Sequence, residues 1–142
     1  MKMLLLALLL LAPLTLANTM PQITLKFGSH AYDVELADTE AAQELLRHLP
    51  LTLRMADLND NEKYGDLPRP LPTQSRSIGS IRTGDLMLFT STCLVLFYKD
   101  FRTIYRYTPV GRVLHPQGLA EALGSGDVQI TLEGKLEVGS RR

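Results

Sequence analysis

The acidic and amide side chains between Asp57 and Glu62 are the first group in this sequence whose spacing suggests chemistry. Asp57, Asn59 and Asn61 alternate in the way that the oxygen ligands of a calcium-binding EF-hand loop do. The sixth position of such a loop must be glycine and is Glu62 here, and the twelfth must be a bidentate glutamate and is Pro68. A turn in which these side chains bond their own backbone explains the pattern better, so we predict no calcium site.

The other residues that could perform catalysis lack a supporting arrangement. The three histidines are far apart in the sequence, and no two of them have the spacing of zinc ligands. Ser91 and Thr92 lie beside Cys93, but no Gly-x-Ser-x-Gly turn surrounds them. The Gly-Ser-Gly segment at residues 124–126 follows a predicted helix and so ends it, whereas a phosphate-binding loop begins one. We therefore predict no metal and no cofactor, and we expect Cys93 to be a buried, unreactive thiol.

Aromatic side chains are concentrated between residues 89 and 107. Phe89 and Phe97 fall inside apolar runs, so we expect them to pack in the core. Tyr98, Phe101 and Tyr105 lie at the edges of those runs. These three are predicted to line a shallow groove for an extended peptide or a small ring.

Length and charge limit the classes of function to consider. The chain has 142 residues, with 15 Lys and Arg against 15 Asp and Glu and a pI near 6.8. A neutral chain has no overall field that attracts nucleic acid, so we predict no nucleic-acid partner. Apolar residues make up 45% of the sequence, which suits one packed domain and excludes a disordered chain.

Residues 1–17 have the form of a secretory signal peptide. A lysine near the start is followed by a leucine-rich run, and Thr15 and Ala17 are the small residues that signal peptidase accepts before its cleavage point. The run is too short to span a bilayer. We therefore predict export to the periplasm and a mature domain at residues 18–142 without stable membrane insertion. Because the chain has one cysteine, its stability must come from the core and not from an internal disulfide.

Hydrophobic periodicity divides the mature chain into short strands and two helices. In chain order we predict a hairpin (23–36), a helix (39–48), a strand (51–55), a long connection (57–80), strands (81, 86–89, 93–98 and 104–107), a helix (116–123), a strand (128–132) and a polar tail (134–142). Asp38 is the expected N-cap of the first helix, and Arg54 is expected to face away from the core. Lys63 and Tyr64 fall in the long connection, and connections of that length are often functional. Many short strands without alternating helices predict a mainly β protein, a closed antiparallel β-barrel with two short helices.

Several segments resemble the cyclophilin-like barrel. The sequences at residues 110–113, 118–123 and 128–132 resemble the end of a cyclophilin, with its Gly-Arg-Val strand, short helix and last strand. The sequences at residues 51–59, 61–68, 84–88 and 118–126 are similar to a family of small bacterial cyclophilin-like proteins. The resemblance covers nearly all of residues 21–133 and implies a cyclophilin-like barrel.

Active cyclophilins catalyse rotation about X-Pro bonds, and the resemblance implies where the corresponding groups would lie. An apolar pocket holds the proline ring, and an arginine bonds near the amide so that the twisted transition state is favoured. Arg54 is the implied catalytic residue, with Met55, Phe97 and Phe101 as apolar walls. The two residues before Arg54 are threonine and leucine instead of the Phe-His of active enzymes, and the Gln-Gly-Gly-Asp stretch is missing.

Three hypotheses about function remain open, and none of them specifies an oligomeric state. The first is an exported barrel that binds a small molecule or a peptide in an outer groove. Its predicted contact residues are Met55, Asn61, Lys63, Tyr64, Phe97, Tyr98, Phe101 and Tyr105. The alternative is an active peptidyl-prolyl isomerase that acts on exported proteins through Arg54. The third is a partner-binding protein whose contact surface is the connection at residues 57–80.

Overall fold

The computed structural model of the chain describes residues 3–4, 7–13 and 19–135. Most of the predicted signal-peptidase site, including Thr15 and Ala17, lies outside these residues, as does the polar tail beyond Lys135. Within the described ranges, no helix has both the length and the apolar character needed to cross a membrane.

Eleven strands and two helices are arranged along residues 19–135. They are β1 (Gln22–Phe27), β2 (His30–Leu36), α1 (Glu40–Arg47), β3 (Leu51–Leu58), β4 (Glu62–Asp66), β5 (Arg76–Ser77), β6 (Ser80–Ile81), β7 (Asp85–Phe89), β8 (Cys93–Phe97), β9 (Phe101–Arg102), β10 (Arg106–Val113), α2 (Leu119–Leu123) and β11 (Val128–Gly134).

Eight of these strands form a closed antiparallel barrel, in the order β2-β1-β11-β3-β4-β8-β7-β10. The barrel closes because β10 also pairs with β2, where Gly111 lies opposite Leu36. Closure removes the free sheet edges that so many short strands would otherwise expose. The predicted fold class, a mainly β closed antiparallel barrel with two short helices, is confirmed.

Helix α1 packs its apolar face into one side of the barrel core. Ala41, Ala42 and Leu45 on this face are fully buried. The N-cap is Thr39 and not the predicted Asp38: the Thr39 hydroxyl oxygen accepts a hydrogen bond from the Ala42 N–H at 3.2 Å. The same hydroxyl donates to the Pro109 carbonyl at 2.7 Å. Thr39 therefore caps the helix and attaches it to β10, a tertiary contact that spacing along the sequence does not reveal.

The predicted connection over residues 57–80 is wrong in its first part, because β3 continues to Leu58 and residues 62–66 form β4. Asn59 and Asp60 join the two strands in a tight turn, with φ angles of 55° and 53°. The Asn61 N–H donates to the Leu58 carbonyl at 3.2 Å and closes the turn. The irregular segment is therefore shorter than expected.

Two apolar clusters lie on opposite sides of the barrel wall. The larger cluster fills the interior and includes inward-facing residues such as Leu94 and Leu96 of β8. The smaller cluster lies outside the barrel and consists of Ile81, Met87, Val95, Phe97 and Tyr107. Strands β6 and β9 pair with each other and supply residues that pack on this outer cluster. The outer cluster lies beneath the candidate functional site, to which Val95 and Tyr107 also contribute.

Candidate functional site

A groove of about 660 Å³ lies on the outer face of the barrel. Side chains of β7, β8 and β10 form its floor, the β3–β4 hairpin forms one wall, and residues 101–105 form the other. Its lining residues are Leu58, Asn59, Asn61, Glu62, Tyr64, Phe89, Cys93, Val95, Phe101, Arg102, Thr103, Ile104, Tyr105 and Tyr107. The volume falls in the range of small-molecule sites, roughly 300–1,000 Å³.

The groove gathers most of the large apolar side chains that are exposed in residues 19–135. Within residues 19–135, six large apolar side chains remain exposed: Leu46, Leu58, Tyr64, Phe89, Ile104 and Tyr105. All of these except Leu46 line the groove. Isolated exposed apolar residues are normal on protein surfaces, but a contiguous group in a concavity is typical of a binding site.

Aromatic rings hold the floor of the groove to one wall. Phe97, which is fully buried, packs its ring 5.5 Å from that of Phe101 and 5.5 Å from that of Tyr107. Phe89 continues the group, with its ring 5.7 Å from Tyr107 and 6.2 Å from Tyr105. These separations are those of favourable aromatic pairs, so the rings fix one another's positions in the floor and one wall of the groove.

Glu62 is an acidic side chain in this largely apolar groove. Strand alternation on β4 directs Glu62 and Tyr64 outward and the intervening Lys63 to the other face. Glu62 is only 9% exposed, and no hydrogen bond or ion pair to its carboxylate is found in the described part of the chain. Burial raises the pKa of this carboxyl, and the negative charge of Asp57 raises it further.

Asn61 lines the groove next to Glu62, at the end of the hairpin turn. Its backbone is held on both sides, because its N–H donates to Leu58 and its carbonyl accepts from the Tyr98 N–H at 3.0 Å. Its side chain is not held in the same way: Oδ1 is buried and has no hydrogen-bond partner among the described residues. Asn61 is thus a fixed backbone position with an unsatisfied acceptor.

A charged network on the opposite face of the hairpin holds it in place. The Lys63 ammonium, with no exposed surface, donates to Asp57 Oδ1 at 2.9 Å and to the carbonyls of Gly124 and Gly126 at 2.8 and 2.7 Å. The Tyr98 hydroxyl donates to the same Asp57 oxygen at 2.5 Å. The hydrogen bond from Tyr98, followed by that from Lys63, lowers the pKa of Asp57. Burial, followed by the hydrogen bond to Asp57, raises the pKa of Tyr98. The network joins the hairpin to the segment after α2.

Four of the predicted contact residues meet in the groove: Asn61, Tyr64, Phe101 and Tyr105. Lys63 and Tyr98 belong instead to the charged network; Tyr98 also borders a separate shallow depression beside α2. Met55 lies in the interior cluster and Phe97 in the outer cluster, and both are at most 1% exposed. Phe97 thus supports the groove from below without lining it.

Arg54 lies on the outer face of β3, as expected, but it is not among the residues that line the groove. Its guanidinium is 3.4 Å from Asp127, and the two side chains are 75% and 52% exposed. Such an exposed ion pair contributes little to stability.

Glu62, Phe89 and Tyr107 also line the groove, although the sequence did not indicate them as contact residues. Phe89, expected to pack in the core, is 39% exposed. The missing signal was the period-2 alternation of β4, which puts Glu62 on the same face as Tyr64 once a strand replaces the expected loop. Cys93, expected to be inert, is half-buried in the groove floor, and burial followed by the charges of Asp66 and Glu62 raises its pKa. A protonated thiol is a poor nucleophile.

The described part of the chain contains no cluster of side chains that could bind a metal ion. No group of three or more His, Cys, Asp or Glu side chains in residues 3–4, 7–13 and 19–135 is placed to hold a metal ion. The lining of the groove, mostly aromatic and aliphatic with a few polar side chains, suits a ligand with apolar faces and a few polar groups.

Comparisons with known proteins agree with the architecture. A family model described as the cyclophilin-like family matches residues 25–133. The solution structure of the hypothetical protein AF2241 from Archaeoglobus fulgidus is similar with a TM-score of 0.57 and 16% identity, over 82% of this chain and 96% of that one. The structure of McbB in complex with tryptophan is similar with a TM-score of 0.63 and 18% identity, over 84% of this chain and 47% of that one. No curated protein matches the sequence.

Proposed function

Because the chain belongs to the cyclophilin-like family, which its sequence resemblance had indicated, we propose that it is a small-molecule-binding barrel whose ligand lies in the outer groove. The observation that carries this proposal is the concentration of exposed apolar side chains there: Leu58, Tyr64, Phe89, Ile104 and Tyr105 all line one concavity. Removing this surface from water on ligand binding is favourable, at about 25 cal/mol per Å² of apolar area.

A planar ring is the ligand shape that suits this groove. Tyr64 lines one wall and Phe101 and Tyr105 line the other, and aromatic side chains are favourable neighbours for an aromatic ligand. McbB, a structural neighbour, was determined in complex with tryptophan, whose side chain carries a planar indole ring. Its complex supports a small aromatic compound as the ligand class for this chain.

Protection of Cys93 from alkylation tests the proposal directly, because this thiol is the only cysteine and lies in the groove floor. The rate of alkylation by iodoacetamide is measured at alkaline pH, with and without 3-methylindole as the probe. We expect 3-methylindole to slow the reaction in a saturable way, since a bound ring covers the thiol.

The matched control is a Cys93→Ser, Ser29→Cys double variant, which moves the thiol to the exposed β1–β2 turn. Alkylation at position 29 should not respond to 3-methylindole. Equal slowing at both positions, or no slowing at Cys93 at any soluble concentration of the probe, would contradict binding in the groove.

Prolyl isomerisation is the alternative function. The observation that favours it is that Arg54, the implied catalytic residue, is exposed on the outer face of β3. The same strand brings Leu58 to the groove, so an extended peptide could reach both residues. The isomerase proposal predicts that the protein accelerates cis-trans exchange of X-Pro peptides and that Arg54→Ala abolishes this activity while the fold is retained. Absence of acceleration by the folded wild type would leave ligand binding as the function.

Export is a further part of the proposal, and it is supported by the sequence of residues 1–17. Expression of the full chain in a bacterium with a periplasm is expected to yield protein in the periplasmic fraction with Asn18 as its first residue. Intact mass spectrometry of that fraction measures this. A cytoplasmic product that retains Met1–Ala17 would contradict it.

A further inference from the structure

Glu62 is the feature of the groove that a purely apolar ligand leaves unexplained. The residue as a whole is 9% exposed and lines a groove of mostly aromatic and aliphatic side chains, and its carboxylate has no hydrogen-bond donor from the described residues. Partial removal of an ionised carboxylate from water is unfavourable when no partner is present, because the charge loses part of its hydration and gains no ion pair in exchange.

The groups around Glu62 do not neutralise it. Asp57 on β3 is itself acidic and is engaged by Lys63 and Tyr98. Cys93 on β8 and Tyr107 on β10 have raised pKa values and so are neutral at physiological pH. Arg102 on β9 lines the groove, but it is exposed and forms no ion pair with Glu62.

We propose that the groove selects a ligand in which a protonated amine is attached to a planar aromatic ring, with the amine bound by the Glu62 carboxylate. The inference rests on the proposed function and adds to it the chemical class of the ligand. A cationic amine supplies both the missing hydrogen-bond donor and the opposite charge, in a place partly shielded from water.

Two further features of the groove favour a cation. The aromatic faces of Tyr64, Phe101 and Tyr105 attract positive charge through the ring quadrupole. The side-chain amide of Asn61, whose Oδ1 has no partner among the described residues, can turn to accept a second N–H from the same amine. Glu62 and Asn61 are thus two residues of the groove lining whose side-chain oxygens are free to accept hydrogen bonds from the amine.

Three indoles with different charges test this selectivity: tryptamine is cationic, 3-methylindole is neutral and indole-3-propionate is anionic. Because the chain contains no tryptophan, the fluorescence of each indole reports its own binding without a protein indole signal. We expect tryptamine to bind at least about tenfold more tightly than 3-methylindole, which corresponds to about 1.4 kcal/mol. Indole-3-propionate should bind more weakly than both.

Glu62→Gln keeps the size of the side chain and removes its charge. It should abolish the preference for tryptamine, so that the ratio of the tryptamine affinity to the 3-methylindole affinity, both measured on this variant, falls to about one. Asp66→Asn is the matched control, since Asp66 is an exposed acidic residue on the same strand that does not line the groove. This control should retain the tenfold preference.

The pH dependence of the wild type gives a second readout that needs no variant. The pKa of Glu62 is raised and that of Asp57 is lowered, so Glu62 takes up its proton first as the pH falls. As the pH falls and Glu62 becomes protonated, the affinity for tryptamine is expected to fall toward the affinity for 3-methylindole. The affinity for 3-methylindole itself should stay constant. Loss of the preference with Glu62 protonation would identify the carboxylate as its source.

The outcomes separate this inference from the proposed function. If 3-methylindole binds and protects Cys93 but tryptamine has no advantage, the cation preference is refuted and the groove function stands. An advantage for tryptamine that survives both Glu62→Gln and acidification also refutes the inference. If none of the three indoles binds, both proposals fail.

Discussion

At the scale of single residues, the hairpin that forms one wall of the groove depends on a buried cation. The Lys63 ammonium is completely buried, and its hydrogen-bond acceptors are one carboxylate oxygen and two backbone carbonyls. A buried charge is tolerated only when it is fully paired, and removal of one partner leaves the others unsatisfied. Lys63 is therefore a structural residue of the site and not a contact residue.

Lys63→Met is expected to lower the free energy of unfolding by about 3–5 kcal/mol, as breaking a buried ion pair typically does. Urea denaturation followed by circular dichroism measures the change. Lys26→Met is the control, because Lys26 forms an exposed pair with Glu133 at 2.8 Å and such pairs contribute about 0–1 kcal/mol. Similar losses in the two variants would contradict the role of the buried network.

Whereas the paired Lys63 ammonium stabilises the fold, the unpaired Glu62 carboxylate destabilises it when ionised. Because its pKa is raised in the folded state, the native protein holds its proton more tightly than the unfolded chain, and stability declines as the pH rises through that range. Glu62→Gln removes this penalty. It should raise the free energy of unfolding by about 1 kcal/mol at neutral pH, as expected when an unpaired buried group is relieved, with no gain below the ordinary pKa of 4.5.

Urea titrations of wild type and Glu62→Gln at a series of pH values measure this difference. Asp66→Asn, which changes an exposed carboxylate of the same strand, should not show a gain that grows with pH. A gain for Glu62→Gln of equal size at every pH would mean that the effect does not come from the charge.

At the scale of secondary-structure elements, close contact between strand backbones controls barrel closure. A Cβ at Gly111 of β10 would lie 2.6 Å from the Glu35 carbonyl oxygen of β2 and 3.1 Å from a Val34 methyl group. Backbone atoms cannot move away from such a contact without breaking the β2–β10 pairing. Glycine at this position is therefore required by the seam between the first and last parts of the barrel.

Gly111→Ala is expected to destabilise the fold by about 1–3 kcal/mol, the range for overpacking of a tightly filled site. Thermal unfolding monitored by circular dichroism measures the effect. Gly134→Ala in β11 is the matched control, because a Cβ there meets no atom within 4 Å. If both variants melted like the wild type, the seam would have to be looser than the structure indicates.

The elements also show which sequence signals were sufficient and which were misjudged. The alternation in residues 23–36 predicted β1 and β2, and the three- and four-residue spacing of Ala41, Ala42 and Leu45 predicted α1. The polar composition of Asp57, Asn59, Asp60 and Asn61 predicts the start of a long loop, whereas the structure has the β3–β4 hairpin there. Asn and Asp tolerate positive φ, so Asn59-Asp60 after an alternating strand also indicates a tight turn between strands.

At the scale of the whole molecule, the position of the groove follows from how the barrel is filled. Every buried residue of the interior cluster is at most 7% exposed, so this small barrel has its inside occupied by its own side chains. A ligand must then bind outside, where the outer apolar cluster and residues 101–105 enclose the groove.

The closed barrel could be predicted from strand number and the absence of βαβ alternation, whereas the groove could be predicted only in part. Its lining residues extend from Leu58 to Tyr107 in the sequence, and they meet because β4, β8, β7 and β10 are neighbours in the barrel. Which strands are neighbours depends on the strand order of the barrel, and the hydrophobic periodicity of a single strand does not reveal that order. Phe101 and Tyr105 are indicated by their positions at the edges of apolar runs, whereas Glu62 is indicated only once residues 62–66 are recognised as a strand.

The most direct test of ligand binding in the outer groove is a chemical-shift titration of the ¹⁵N-labelled protein with 3-methylindole. The predicted result is saturable shifts of backbone amides that are largest in residues 58–64, 93–95 and 101–105, the two walls and the floor. Shifts that are largest at the depression beside Tyr98 and α2, or that never saturate, would contradict the assignment of the groove as the binding site.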